Sequence, residues 1–268
     1  TMLPNLARLP GPVIAGTLYV ALGLILTMRV GYTTAFTLFL IAAFLRIRLR
    51  ETLKGAADQP SASEVLASYP KAVKESLSVW KLLPKAMFYL FVVSSLLQFF
   101  ASLCSPFFVV YATKILAIGG FEWALLMALL LVARMLSALP SGKIIDKFGR
   151  RKPLAISHLL LLPVLLLFVY GDFYRLLPSL LLLGVSESML AVSQQSLQAD
   201  LTPRELRGKV IGCTQFASYL LVALGQLLGG VLYSYVSPQT PFLIFAMATI
   251  PLTAMTLLLV HDPKKREE

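Results

Sequence analysis

Gly142-Lys-Ile-Ile-Asp146-Lys-Phe-Gly149-Arg150-Arg151-Lys152 is the stretch on which the reading of this chain turns. It is short, basic and flanked by glycines, carries one carboxylate at its centre, and lies between two long apolar runs. That pattern predicts a polar loop joining two membrane-crossing helices. Such a cluster of Lys and Arg marks the side of the membrane on which positive charge is retained.

Apolar runs on either side continue almost end to end. A membrane-spanning helix needs about 20 predominantly apolar residues. Windows of this kind fall at 2–26, 30–45, 86–112, 121–140, 153–170, 176–198, 210–236 and 241–260 of the 268-residue chain. Only 14% of residues are charged, against about a quarter in a soluble domain, and mean hydropathy is +0.79. The predicted fold class is therefore all-α, a polytopic transmembrane bundle of about eight helices solvated by the lipid bilayer. The second window is short, and Arg46, Arg48 and Arg50 beside it are placed to snorkel toward headgroups.

The net charge is +11, and its distribution argues against a nucleic-acid partner. Apart from Arg8, Arg29, Lys114, Arg134 and Arg175, every Lys and Arg falls in segments on one side of the predicted membrane. This is the positive-inside pattern, so the basic stretch, the central polar segment and the C-terminus are predicted to be cytoplasmic at the cell membrane. In that central segment, Val73, Leu77 and Trp80 recur at helical spacing. They fit either a helix lying on the membrane face or an irregular linker. Cys104 and Cys213 have no cysteine neighbours or ligand spacing and read as packing residues. No phosphate loop, G-x-S-x-G, H-E-x-x-H or Cys/His cluster occurs. The sequence thus suggests neither an enzyme nor a cofactor or metal.

An internal repeat bears on organisation. Gly11-Pro12-Val-Ile-Ala15-Gly16 with Leu18-Tyr19 matches Gly225-Gln226-Leu-Leu-Gly229-Gly230 with Leu232-Tyr233 at a constant offset. Glycines so spaced let another backbone approach closely, which is how helices pack in lipid. The repeat suggests two related halves, and it sets residue 1 opposite Gln215, inside the seventh window. The expected division is residues 1–45 as the last two helices of a first half, 46–85 as linker, and 86–268 as a six-helix second half. About four helices would precede the chain.

Three stretches carry a resemblance to the major facilitator superfamily of membrane transporters, from Gly11 to about Pro263. The segment 142–152 resembles the family motif G-x-x-x-D-x-x-G-R-R-K. Ala199-Asp200-Leu-Thr202-Pro203-Arg204-Glu205-Leu-Arg207-Gly208 looks like the loop between its tenth and eleventh helices. Gly11–Gly16 is similar to the antiporter motif G-P-x-x-G-G, with Ala7 and Ala15 where glycines are usual. The resemblance implies a protein of twelve helices in two halves, monomeric when complete, that moves a small solute by alternating access. The loop residues Gly142, Asp146, Gly149, Arg150, Arg151 and Lys152 would then help gate it. Thr202, Pro203 and Glu205 read as the capping box of the following helix, and Asp146 is expected to pair with Arg207 or with that helix end.

Charges inside spans are functional candidates, because lipid makes them costly. Arg134 and Glu187 lie at comparable depth in helices that border the cavity in the family, and Arg8 lies in the first window. A carboxyl is charged beside an arginine and prefers its neutral form without one, so Glu187 is the candidate proton site. A static structural pair is the alternative. Gln98 and Gln194 are candidate solute contacts, among Ser94, Ser95, Ser102 and Ser105 in the third window and Ser186, Ser188, Ser193 and Gln195 in the sixth. The expected function is proton-coupled efflux of a small organic solute. The alternatives are proton-coupled uptake of a sugar or carboxylate, or a membrane protein that does not transport.

Overall fold

The computed structural model describes residues 10–48 and 83–262. Arg8, Ala7 and the segment around Val73, Leu77 and Trp80 lie outside the described residues. The elements are α1 (Pro10–Gly23), α2 (Ile25–Ile47), α3 (Lys85–Ile115), α4 (Gly120–Phe148), α5 (Arg151–Val169), α6 (Phe173–Leu201), α7 (Arg204–Val236) and α8 (Thr240–Leu259). All but α1 are long and apolar enough to cross a membrane. Away from their ends, helices satisfy their backbone polar groups internally, which lipid requires, and no strand occurs among the described residues.

Two boundaries differ from expectation. The first two spans are separated at Gly23, whose φ of 73° and ψ of 172° suit glycine alone, and Arg29 sits inside α2 rather than between helices. The stretch 142–152 is mostly not a loop. α4 continues through Pro140 and Gly142 to Phe148, and α5 starts at Arg151. Only Gly149 and Arg150 connect them, with Gly149 at φ 81°. Basic and aliphatic residues are good helix formers, so the polarity that predicted a loop is compatible with a helix emerging from the membrane.

The six helices from α3 onward pack in the order α4, α6, α5, α8, α3, α7, each against the next, and α1 lies against α4. At one end of the bundle Tyr111, Phe168 and Phe242 are fully buried. Phe108 packs edge-on against Phe242, and the Tyr111 hydroxyl donates to the Val169 carbonyl at 3.0 Å. Further in, the Ser179 hydroxyl donates to the Val164 carbonyl, Ser186 donates to Ser157, and His158 bonds Thr256. These three bonds tie α5 to α6 and to α8 through groups that would be costly unpaired in lipid. Outward-facing Leu136, Leu227, Tyr235 and Leu258 are exposed, as a lipid-solvated surface requires.

Glycines of the repeat meet neighbours unevenly. A Cβ on Gly229 would strike the Leu103 backbone, one on Gly225 would strike Ser102 and the Phe99 carbonyl, and one on Gly16 would strike Ala124. Gly11 has nothing within 4 Å, and Gly230 meets only the Phe107 ring at 3.9 Å. The two copies therefore use different positions of one motif. The second presses Gly225 and Gly229 on α3, while the first presses Gly16 on α4 and leaves Pro12 lining a groove there. Gly229→Val is expected to destabilise the protein by about 1–3 kcal/mol through overpacking, and Gly11→Val to change little. Thermal unfolding in detergent compares the two directly.

Candidate functional site

Arg134 on α4 and Glu187 on α6 meet, with Nη1 donating to Oε2 at 3.1 Å. Gly184, one turn before Glu187, brings the two helices together there. A side chain at Gly184 would strike Ala133, the Leu130 carbonyl and the Arg134 amide. The pair thus depends on a backbone approach that only glycine permits.

The pair opens into a cavity of about 450 Å³ walled by α3, α4, α6 and α7. Both side chains remain about a third exposed (35% and 36%), so a solute in the cavity can reach them. Gln98 from α3 and Gln194 from α6 line the same space, so all four candidate residues converge. Ser94, Ser95 and Gln195 join them, whereas Ser102 bonds back to Phe99 and Ser186 turns toward Ser157. The Ser95 hydroxyl is buried at the cavity wall and has no partner.

Sequence reasoning missed the third polar wall. Thr214, Gln215 and Ser218 project from α7 into the cavity, and Gln198 extends the α6 face. The signal was present. Ile211, Thr214, Gln215 and Ser218 fall at the i, i+3, i+4, i+7 spacing of one helix face. Among the described residues, Arg134 and Glu187 are the charged groups of the cavity lining, and as an ion pair they balance each other.

At the basic end the contacts differ from those expected. Asp146 is exposed and makes no ion pair among the described residues. Arg207 donates instead to the carbonyls of Ala199 (2.9 Å) and Thr202 (3.3 Å), where a cation suits the negative end of α6. The capping box at Thr202 does not form. The chain passes through extended Pro203 and one 3-10 turn, Arg204–Leu206, before regular α-helix begins at Arg207. The Thr202 hydroxyl is left buried and unpaired.

The carboxylates that organise this end are Asp200 and Asp262. Arg150 Nη2 lies 2.9 Å from Asp200 Oδ2. The backbone N–H groups of Arg150 and Arg151 both donate to Asp262 Oδ1 at 3.1 Å. Asp262 thereby caps the N-terminus of α5, where the helix dipole favours an anion. Its other oxygen would lie only 2.7 Å from a Cβ on Gly149, closer than real contacts allow. Gly149 thus permits both the turn and the cap, while Gly142 is open. Lys152 lies in the first turn of α5.

Compared with known proteins, residues 90–268 match the model of the Major Facilitator Superfamily. The chain is 28% identical over 153 residues to the quinolone resistance protein NorA of Staphylococcus aureus, covering 57% of this chain and 39% of that protein. It is 27% identical over 159 residues to the magnetosome protein MamH of Paramagnetospirillum magneticum, covering 56% and 37%. The matched region is about two fifths of the length of these curated relatives.

Two outcomes follow from the contacts. Arg134→Gln is expected to destabilise the protein more than the double variant Arg134→Gln/Glu187→Gln, because the single change leaves a carboxylate without its partner. Melting of all three proteins in detergent orders them. Asp262→Ala should lower the melting temperature by roughly 2–4 °C, the scale of a lost helix cap, whereas Asp146→Ala should leave it unchanged.

Proposed function

We propose that this chain, which belongs to the Major Facilitator Superfamily, forms part of a proton-coupled secondary transporter for a small organic solute. The observation that carries this reading is the ion pair Arg134–Glu187 set in the wall of a polar cavity. A charged pair inside a membrane bundle is costly and suits a pathway. One that faces open space can exchange partners as access changes. Transport would proceed by alternating access, with the cavity as solute site and Glu187 as the group that takes up and releases the proton.

The basic end would be cytoplasmic by the positive-inside rule. Contacts of Arg150, Asp200, Asp262 and Arg207 join the ends of α5, α6, α7 and α8 there. They would hold the second half as one body while it rocks. Gating, in this reading, acts through Arg150 and Asp200 more than through Asp146. Efflux draws support from the name of the quinolone resistance relative and from the Gly11–Gly16 stretch. Uptake of a sugar or carboxylate is the second reading; among the described residues no unpaired carboxylate lines the cavity to receive an organic cation.

The test uses the complete protein in proteoliposomes loaded with a pH-sensitive dye. Candidate compounds are added under an imposed proton gradient, for wild type and Glu187→Gln. Compound-dependent proton movement, reduced at least about tenfold in the variant as for a lost general proton carrier, is the expected result. Solute movement without protons, unchanged in Glu187→Gln, would leave a uniporter and make the pair structural.

A further inference from the structure

We infer that the solute is a small hydrophilic carboxylate that replaces Glu187 as the partner of Arg134 and binds together with a proton. This rests on the reading of the cavity as a solute site. Charge balance at the pair decides which solute fits. In the structure the cavity carries one cation and one anion, paired at 3.1 Å. Among the described residues, no other charged side chain lines it. His158, on α5 behind the site, is fully buried and bonds Thr256 on α8, so it does not face Glu187.

An organic cation would have to displace Arg134 from Glu187 and leave the guanidinium unpaired, giving the site a surplus positive charge within the bundle. A neutral solute leaves the pair intact and gives the proton no role. A carboxylate can pair with Arg134 only if Glu187 gives it up. Glu187 does so at least cost by taking a proton on the freed carboxylate oxygen, which makes it a neutral acid. The site is then neutral again, with one proton and one anion gained together. Any other order leaves an unpaired charge, whose cost inside a membrane bundle is several kcal/mol. Proton and anion therefore bind with positive coupling, and by linkage each strengthens the other equally. The step moves no net charge.

The rest of the wall fits such a solute. Gln98, Gln194, Gln195, Gln198 and Gln215 present amides that both donate and accept. The unpartnered Ser95 hydroxyl is one more group in search of a hydrogen bond. Among the described residues, aromatic lining is confined to Phe91, whereas recognition of organic cations relies on aromatic faces. A hydroxylated carboxylate matches amides and guanidinium alike.

The experiment is binding to the complete purified protein in weakly buffered detergent, read by calorimetry and by a pH dye. The probes are lactate, glycerate, gluconate and quinate, with sorbitol as the neutral control and choline as the cation. The expected result is binding of carboxylates with uptake of close to one proton each, weakening about tenfold per pH unit above the Glu187 transition. Glu187→Gln should bind them without proton uptake and without pH dependence. Arg134→Gln/Glu187→Gln, which keeps the pair neutral and so guards against misfolding, should lose binding. Choline binding with proton release, equal binding of gluconate and sorbitol, or no carboxylate binding would each overturn the inference. Transport of another charge class in proteoliposomes would then leave the transporter reading standing. If imposed gradients move neither protons nor any solute, that reading falls too.

Discussion

Charge neutrality in a medium of low dielectric is the constraint on which the site depends. Arg134 and Glu187 can sit within the helical bundle because each compensates the other across 3.1 Å. Much else follows from keeping them together. Gly184 must be small so that α4 and α6 approach. The cavity must be polar so that both groups stay solvated on their open side. On the proposed reading, the same demand would turn a binding event into a proton event, since neither partner could leave without being replaced.

Elsewhere the fold meets the same medium by other means. Where helices need only to pack, Gly16, Gly225 and Gly229 remove side chains and let backbones touch. Where a helix ends, the exposed backbone groups need partners. Asp262 supplies acceptors for α5, and Arg207 supplies donors for α6. The Asp262 contacts cross a long stretch of sequence and join the end of the last helix to the turn between α4 and α5, whereas the Arg207 contacts are local.

Spans were legible because lipid imposes length and apolarity on each segment separately, with no need to know its neighbours. The comparable depth of Arg134 and Glu187 was legible for the same reason. That they point at each other was not, since the angular phase of two helices depends on packing. The ends were read less well. Segment 142–148 looked like a loop because it is polar, yet it is helix outside the apolar zone. Asp146 looked like the organising carboxylate because it lies in the basic stretch. That role falls to Asp200 and to Asp262, which is 112 residues from Arg150 and visible as a cap only in three dimensions. The wall formed by Thr214, Gln215 and Ser218 was readable from helical spacing but carries no charge to draw the eye.

Protonation of Glu187 itself is the central claim, and infrared difference spectroscopy of the complete protein observes it directly. Spectra are taken before and after a carboxylate solute is added. With the solute, a protonated carboxylic-acid band should appear and a carboxylate band disappear, both changes being absent in Glu187→Gln. Bound solute with no change in either band would mean that Glu187 stays paired with Arg134 throughout, and that the pair holds helices together without carrying a proton.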